Sequence, residues 1–307
     1  MNPELSNHHW KILTDLRDGF LTQKRHYWTS EEQLSLYDRF FAQRIGWKWQ
    51  AVVQESKQLK VSETLLDWGC GTGIASRVFL EHYPAKTVHL VDQSPLAVSF
   101  AEKAILNSFP NVRVERGIPT GGFTLLLSHV LNELREDKEL DSLFNRAASI
   151  FWVEPGTKEV ASRLVEWREK LKDRFFPVAP CPHTAPCGLL GHPKHWCHHF
   201  APSPSTIFQS SEWKAFSKNV GVDLRSLPLS YLVLQSTPPE PAAEHYREIG
   251  EARFYKGYLK TLLCHAKGVN SARFLKKSDP TLFKAWKKFE FSRKVPESNR
   301  ALQFEER

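Results

Sequence analysis

The sequence predicts an α/β fold built on a parallel sheet, and three observations lead to this prediction. Short apolar runs alternate with helical stretches over residues 61–155, which is the pattern of strands joined by crossover helices. A glycine-rich turn, GCGTG at 69–73, follows the first of these runs, and an acidic residue, Asp92, ends the second. Strand, glycine turn and helix in this order are typical of nucleotide-type sites in doubly wound sheets.

The first 60 residues are predicted to form a helical lobe. Apolar side chains recur at helical spacing over residues 10–16 and again over residues 34–47, as expected of helices that bury one face. The sequence TSEE at 29–32 is typical of a helix start, because serine caps free backbone N–H groups and acidic residues favour the first turn.

Residues 61–172 form the core of the predicted fold. Strands are expected at 64–67, 87–91, 112–115, 123–128 and 149–153, with helices at 74–82, at 95–106 and after Glu133. Residues 173–225 are rich in Pro, Cys, His and Ser and show little periodicity, so we expect an inserted loop region here. We expect residues 226–268 to return to the core sheet as strands. The basic extension 269–307 is expected to be helical and frayed.

Composition and charge limit the possible functions. The chain has 307 residues, 41% of them hydrophobic, and no run of about 18 apolar residues that could cross a membrane. The N-terminus lacks an apolar signal region, so the cytoplasm is the expected compartment and structural disulfides are not expected. The net charge is +8; residues 251–307 hold 14 Lys and Arg against 6 Asp and Glu, and the other 250 residues are balanced. This basic, aromatic-containing region suits a polyanion partner, although a solvated basic surface gives the same composition.

The segment DWGCGTG at 67–73 carries the strongest functional signal. Glycines let the backbone turn sharply and approach a ligand closely, and Asp92 at the end of the next strand is placed to accept hydrogen bonds from ribose hydroxyls. The pattern resembles class I S-adenosylmethionine-dependent methyltransferases, with a Rossmann-like sheet. The resemblance implies that Asp67 orients the methionine end of the cofactor. It also implies that Gly69, Gly71 and Gly73 give backbone access, with Cys70 only a small loop residue.

The residues that handle the methyl acceptor are not identified by the sequence. The segment SHVLNE at 128–133, after the fourth strand, contains neither of the acceptor motifs for methylation of amino nitrogens or of cytosine carbon. His129 and Glu133 are the candidates there for proton handling, although a structural role is the favoured interpretation of both. Methyl transfer from a sulfonium depends mainly on alignment, so no catalytic base is required.

Four cysteines, Cys181, Cys187, Cys197 and Cys264, lie outside the glycine loop. Three of them fall within a polar loop, which indicates a metal site, because ligation stabilises a loop that apolar burial cannot. Four thiolates can hold an iron–sulfur cluster. Cysteine and histidine can also hold zinc, and the loop contains the histidines His183, His192, His195, His198 and His199. Free buried cysteines are the third reading.

Taken together, these segments resemble one family, the methyltransferase-like proteins associated with the small ribosomal subunit in mitochondria and bacteria. The resemblance covers nearly the whole chain. The matching segments are HYW at 26–28, DWGCGTG at 67–73, SHVLNEL at 128–134, EPGT at 154–157, CPH at 181–183, WCH at 196–198, LSYLVL at 229–234 and YKGY at 255–258.

The resemblance implies a class I methyltransferase sheet with a cysteine-bearing insertion that binds a metal. The mitochondrial members carry a 4Fe-4S cluster on four cysteines and act in small-subunit assembly on the ribosomal RNA. Carried over by position, the ligands here are Cys181, Cys187, Cys197 and Cys264. The chain departs from the family at Gly188, where members often have proline, and in the extra histidine of HH at 198–199. That histidine leaves zinc open as the alternative, and the missing mitochondrial targeting segment favours a bacterial member.

Three functions follow from these expectations. The first is S-adenosylmethionine-dependent methylation of small-subunit ribosomal RNA, and the second is a non-catalytic RNA-binding assembly factor with a structural or sensing cluster. The third is a zinc-containing methyltransferase of another substrate. We expect no membrane partner and a monomer off the ribosome. The residues expected to contact RNA phosphates are Lys276, Lys277, Lys284, Lys287 and Lys288.

Overall fold

The computed structural model of the chain describes residues 5–21, 28–134, 138–239, 245–296, 299 and 301–304. His26 and Tyr27 of the HYW segment lie outside these residues. No helix in the described ranges is long and apolar enough to cross a membrane.

The elements alternate as the sequence predicts over its first half. The helices are α1 (Asn7–Leu21), α2 (Glu31–Tyr37), α3 (Gln43–Glu55), α4 (Ile74–Leu80), α5 (Pro95–Ser108), α6 (Lys138–Phe144), α7 (Lys158–Leu171), α8 (Ser211–Val220) and α9 (Pro280–Trp286). The strands of the main sheet are β1 (Thr64–Trp68), β2 (Thr87–Val91), β3 (Arg113–Arg116), β4 (Phe123–Ser128), β5 (Ala147–Pro155), β6 (Phe176–Ala179), β7 (His199–Phe200) and β8 (Pro228–Gln235). Those of a second sheet are β9 (His245–Phe254), β10 (Tyr258–His265), β11 (Gly268–Leu275), β12 (Lys294–Pro296) and β13 (Leu302–Phe304).

The first of two compact units comprises residues 1–150 and 203–227. Its strands are ordered β3-β2-β1-β4-β5, and β2 and β4 both run parallel to β1. The chain therefore changes direction across the sheet between β1 and β4. In open α/β sheets, ligands bind outside the carboxyl ends of the strands at this switch point.

The described residues of the 1–60 segment are mainly helical and contain α1, α2 and α3. Helix α2 begins where predicted, because Ser30 caps it by accepting a hydrogen bond of 3.1 Å from the backbone N–H of Gln33. A π-helical turn, Asp38–Ala42, joins α2 to α3. Its Phe40 is fully buried and stacks on Phe216 of α8 with ring centroids 4.6 Å apart. Apolar packing thus ties this lobe to the later helix of the same unit.

The second unit comprises residues 151–202 and 228–307. Strands β6 and β7 pair antiparallel with β8. The strands of the second sheet have the order β12-β9-β10-β11-β13, and each neighbouring pair is antiparallel. One of its faces is apolar and packs against α9, through the cluster Leu259, Leu263, Ala272, Phe274, Phe283, Trp286 and Val295.

The α/β prediction, with a mostly parallel central sheet, is confirmed. The expectation that residues 226–268 all return to that sheet holds for β8 alone, because β9 and β10 belong to the second sheet. The basic extension is also not mainly helical: it holds β11, β12 and β13, with α9 between them. Hairpin strands close in sequence pair with each other first, since an antiparallel partner needs only a short turn.

Candidate functional site

The glycine loop lies at the carboxyl end of β1, at the switch point of the sheet. The backbone N–H groups of Gly69 and Cys70 donate hydrogen bonds of 2.8 and 3.0 Å to the carbonyl of Val91, the last residue of β2. The N–H of Gly73 donates to the carbonyl of Cys70 at 2.7 Å, which closes the turn into α4. The loop is therefore fixed to two neighbouring strands by its own backbone.

The three glycines all have positive φ (75°, 51° and 73°), and they are required for two different reasons. A Cβ at Gly69 would lie 2.5 Å from Cγ1 of Val130, and a Cβ at Gly73 would lie 3.0 Å from the Cβ of Ala101. Both positions therefore serve close packing. A Cβ at Gly71 would meet no atom within 4 Å. Gly71 thus faces the open space into which a ligand could approach the backbone.

Asp67 is a fully buried carboxylate at the end of β1. The hydroxyl of Ser76 on α4 donates to its Oδ2 at 2.6 Å, while Oδ1 is buried and has no hydrogen-bond partner among the described residues. The Oγ1 of Thr72 in the loop is also buried without a hydrogen-bond partner among the described residues. Burial raises the pKa of Asp67 to about 6, although the hydrogen bond from Ser76 opposes the rise. Buried polar atoms normally have a partner, so these two indicate that a polar ligand belongs here.

Asp92 follows β2 and joins the same site. Its Oδ2 accepts the N–H of Gly71 at 2.9 Å, and its Oδ1 accepts the N–H of Ser94 at 2.8 Å. Burial raises the pKa of Asp92. Each carboxylate oxygen keeps a second lone pair, so both can still accept a hydrogen bond from a hydroxyl group. Burial also raises the pKa of the Cys70 thiol far above its usual range, which fits an inert loop residue.

The segment after β4 lies at the same edge of the sheet. His129 has a φ of 57°, which is uncommon for a residue other than glycine, and its Nε2 is buried without a hydrogen-bond partner within the described ranges. Burial, together with the charge of Lys48, lowers the pKa of His129 well below its usual value. The imidazole is therefore neutral at physiological pH, whereas Glu133 is exposed.

Two residues of this site, Ser76 and Tyr37, were missed by the sequence reasoning. Burial raises the pKa of Tyr37, and the charges of Glu133, Asp38 and Asp92 add to the rise, so the phenol lies near the carboxyl ends of β2 and β4. Tyr37 is the last residue of α2, beside the π-helical turn. No pattern in a single sequence distinguishes it from the core aromatics around it.

The second unit brings the four cysteines of the insertion and of β10 into one region. Cys187 and Cys197 pack against Cys264 in a cluster with Leu189 and Ile249. Burial raises the pKa of Cys197 well above its usual range, and the charges of the other three cysteines raise it further. Such effects fall off with distance, so the loop cysteines lie close to one another and to Cys264. No three His, Cys, Asp or Glu side chains of the described ranges converge at metal-ligand spacing, however.

Two buried arginines border these thiols, and neither was predicted from the sequence. Arg168 of α7 donates to the carbonyl of His183 at 2.9 Å and pairs with Glu169; Arg247 of β9 donates to the carbonyl of Ser292. The two guanidinium charges lower the pKa of Cys264, against the larger effect of burial. They therefore favour the thiolate form that binds metals.

Near the thiols, histidine nitrogens also approach sulfur. The Nε2 of His183 lies 3.6 Å from the Sγ of Cys264, and the Nε2 of His199 lies 3.9 Å from the Sγ of Cys197. The five lysines expected to contact RNA are all exposed. Two follow β11 and three lie on or just after α9, where the ammonium of Lys287 lies 5.8 Å from the centroid of the Phe283 ring.

Comparison with known proteins gives one family. The profile of a family described as mitochondrial small ribosomal subunit Rsm22 matches residues 49–296. No curated protein matches the chain.

Solved structures of methyltransferases resemble the chain at low identity. The plantazolicin methyltransferase BamL, solved with S-adenosylhomocysteine (SAH), is 12% identical, with a TM-score of 0.41 over 75% of this chain and 97% of that one. Magnesium protoporphyrin IX methyltransferase from Synechocystis PCC 6803 is 11% identical, with a TM-score of 0.39 over 74% and 100%. The N-methyltransferase NodS from Bradyrhizobium japonicum WM9 is 12% identical, with a TM-score of 0.40 over 66% and 99%.

Proposed function

The chain belongs to the mitochondrial small ribosomal subunit Rsm22 family, and from this premise we propose that it is an S-adenosylmethionine-dependent methyltransferase that acts on the small ribosomal subunit. The observation that carries the proposal is the loop at 67–73. There, Gly71 faces open space beside two buried polar atoms without partners among the described residues, at the switch point of the sheet.

The residues at this edge suit the parts of the proposed cofactor. Oδ1 of Asp67 is an acceptor for the ammonium group of the methionine end, and Asp92 can accept the ribose hydroxyls. Gly69 and Gly73 keep the loop close to its neighbours, and Gly71 leaves room for the cofactor. When bound, the cofactor supplies a sulfonium methyl group. The protein then has only to align the acceptor and exclude water.

His129 is the residue best placed to handle a proton, if the acceptor must lose one. Its Nε2 is buried and without a hydrogen-bond partner in the described ranges, and its lowered pKa leaves the nitrogen unprotonated at neutral pH. Glu133 and Tyr37 border the same edge. Their role would be to position the acceptor.

We propose further that Cys181, Cys187, Cys197 and Cys264 hold a 4Fe-4S cluster, with zinc as the alternative. The donor chemistry fits, because four sulfur atoms from distant positions gather in one buried region beside two guanidinium groups. Buried thiolates repel one another unless a cation lies between them. Binding would therefore draw the four sulfur atoms together from their present spacing.

The proposed partner is the small ribosomal subunit and its RNA. The excess of basic residues over 251–307 supports a polyanion, and the family description supports the ribosome. A non-catalytic assembly factor remains the second candidate, because no acceptor motif follows β4. A zinc-containing methyltransferase of another substrate is the third.

Transfer of a labelled methyl group tests the proposal directly. Purified protein is incubated with methyl-labelled S-adenosylmethionine and small ribosomal subunits, and label is measured in the RNA and protein fractions. We expect label in the RNA, and loss of both label and SAH binding in Gly71→Val. Gly117→Val is the matched control, since Gly117 also has positive φ (90°) and an open Cβ direction.

Each outcome distinguishes the candidates. Label in the ribosomal RNA supports the first. If the wild-type protein binds subunits and SAH but transfers no methyl group, the enzymatic proposal fails and the assembly factor is favoured. Label in another substrate, with zinc in the protein, favours the third.

A further inference from the structure

We propose that single-stranded RNA binds the face of the second sheet opposite α9, through a surface formed by Arg253, Tyr255, Tyr258, Lys260 and Arg273, which we call the basic sheet face. The cysteine-bearing loop packs on the same face around Cys264, so this surface is the end of the face away from Cys264. The proposal rests on the proposed RNA partner and deepens it, because it names the surface and the form of RNA. It also differs from the sequence-based expectation, which placed the contacts on the lysines of α9 and of the segment before it.

Three basic residues form a row across neighbouring strands. Lys260 of β10 pairs directly with Arg253 of β9 on one side and with Arg273 of β11 on the other. Directly paired residues project to the same face of a sheet, and like charges in such pairs are destabilising. The row therefore presents three positive charges on neighbouring strands of one face, which suits a ligand with regularly spaced negative charges.

The row lies on the face opposite the apolar cluster. Leu259 and Phe274, the neighbours of Lys260 and Arg273 along their strands, are fully buried on the α9 side. Because side chains alternate between faces, Lys260 and Arg273 lie on the other face, and both Arg253 and Arg273 are exposed. The α9 helix therefore covers one face and leaves the basic row uncovered by it.

Aromatic rings continue the basic row. Tyr255 and Tyr258 stack with ring centroids 4.6 Å apart and an interplanar angle of 11°, and Tyr255 is 44% exposed. The guanidinium of Arg273 lies 5.4 Å from the centroid of the Tyr258 ring. Stacked aromatic rings beside basic groups are the usual platform for unpaired bases, since every base offers a π face and every nucleotide a phosphate.

The cysteine-bearing loop adds the exposed cation Lys194, whose neighbour His195 lies near Arg253. The rings of His192 and His195 lie 5.0 Å apart. One acidic residue, the exposed Glu251, lies in this stretch of β9. The balance is positive, as a phosphate backbone requires.

The shape of the surface favours single-stranded RNA over a duplex. The deep, narrow major groove of A-form RNA cannot be entered by side chains on a sheet, and paired bases do not expose their faces. An open antiparallel sheet instead lets unpaired bases lie on its aromatic residues while phosphates contact its basic ones.

The test compares two triple variants of the full chain. Binding of a fluorescein-labelled RNA single strand of about 12 nucleotides, and of its duplex, is followed by fluorescence anisotropy over a series of salt concentrations. One variant combines Arg253→Ala, Lys260→Ala and Arg273→Ala. The control combines Lys284→Ala, Lys287→Ala and Lys288→Ala, so it removes the same charge from α9 and the residues after it. SAH binding and metal content report whether each variant folds.

We expect the sheet variant to lose single-strand affinity at least tenfold. The slope of log affinity against log salt should become shallower by about 2, since each lost phosphate contact removes about 0.7. The double variant Tyr255→Ala with Tyr258→Ala should lose single-strand affinity about fivefold or more, with little change in the salt slope. The α9 control should lose less single-strand affinity than the sheet variant.

Equal affinity of the sheet variant and the wild type, or a larger loss in the α9 control, would overturn the proposal while leaving an RNA partner in place. Preference for the duplex would also overturn it. If the wild-type chain binds neither RNA, the RNA partner itself fails. A sheet variant that loses SAH or metal is replaced by the single variants, judged by the same comparison.

Discussion

The backbone N–H of Gly71 donates a 2.9 Å hydrogen bond to Oδ2 of Asp92, so the open glycine of the loop is held by the carboxylate that ends the neighbouring strand. The same carboxylate caps the start of the next segment through the N–H of Ser94. These two hydrogen bonds fix the loop and also orient the carboxylate of Asp92. A ligand in the space beside Gly71 would contact the loop backbone and the remaining lone pairs of Asp92.

Replacing Asp92 should therefore affect ligand binding more than folding. Asp92→Asn keeps one acceptor oxygen but loses the charge, and a hydrogen bond to a charged group contributes about 1.5–3 kcal/mol. We expect SAH affinity to fall about tenfold to a hundredfold, measured by calorimetry, with a smaller change in the urea midpoint. Glu115→Gln, on the exposed strand β3, is the control. Unchanged SAH affinity in Asp92→Asn would contradict the ribose role.

The pKa of Asp67 makes a prediction about pH. Burial raises it to about 6 from its ordinary value of 3.8, so in the free protein Asp67 is protonated below about pH 6. An ammonium group of the cofactor needs the carboxylate form. We expect SAH affinity to fall about tenfold for each pH unit below about 6 and to level off above about 7. In Asp67→Asn this dependence should vanish, and an identical pH profile in the two proteins would contradict the pairing.

The same shift also predicts how stability changes with pH. Between pH 3.8 and about 6 the folded state holds a proton on Asp67 that the unfolded state has lost, so stability from this group falls as pH rises through that window. The total change is about 3 kcal/mol. The difference in unfolding free energy between Asp67→Asn and wild type should therefore move by about 2 kcal/mol in favour of Asn between pH 4 and pH 7, measured by urea unfolding without ligand. A constant difference would contradict the raised pKa.

The packing of Gly69 predicts a specific coupling. In Gly69→Ala the new Cβ meets Cγ1 of Val130 at 2.5 Å, and the backbone keeps its positive φ. Overpacking costs about 1–3 kcal/mol and the strained φ costs a similar amount. Adding Val130→Ala should recover the packing cost but not the backbone cost, and the double-mutant cycle should give an interaction energy of about 1–3 kcal/mol. Additive effects in urea unfolding would show that the loop relaxes away from Val130.

The glycine loop could be predicted from the sequence because its requirements are local. A strand, three glycines and a following helix are adjacent in the chain, and the two acids end adjacent strands. Ser76 and Tyr37 could not be predicted in the same way. Ser76 reaches Asp67 only because α4 returns across β1, and Tyr37 approaches Asp92 and Glu133 only through the packing of a separate helix.

In the cysteine region, too, some features could be predicted from the sequence and others could not. The loop cysteines were visible as a cluster in the sequence, and the proximity of Cys264 was expected from the family resemblance rather than from spacing. Arg168 and Arg247 were not anticipated, because a basic residue in a helix or strand gives no sign of being buried until its neighbours are known. The second sheet was misassigned for a related reason: short apolar strands look alike, and only their pairing partners decide to which sheet they belong.

The four-cysteine proposal predicts that replacing Cys197 removes the metal, whereas replacing Cys70 does not. Cys197 lies among the other three thiols, whereas Cys70 lies in the glycine loop. Protein purified without oxygen should show a broad band near about 400 nm, with about four irons and four sulfides per chain, if the group is a cubane cluster. Cys197→Ser should lose the band and the metal, and Cys70→Ser should keep both. Zinc in place of iron would assign the loop to a structural tetrahedral site. Metal-free wild-type protein, or equal metal content in the two variants, would contradict ligation by these thiols, because only the cluster cysteines supply the thiolates that hold the ion.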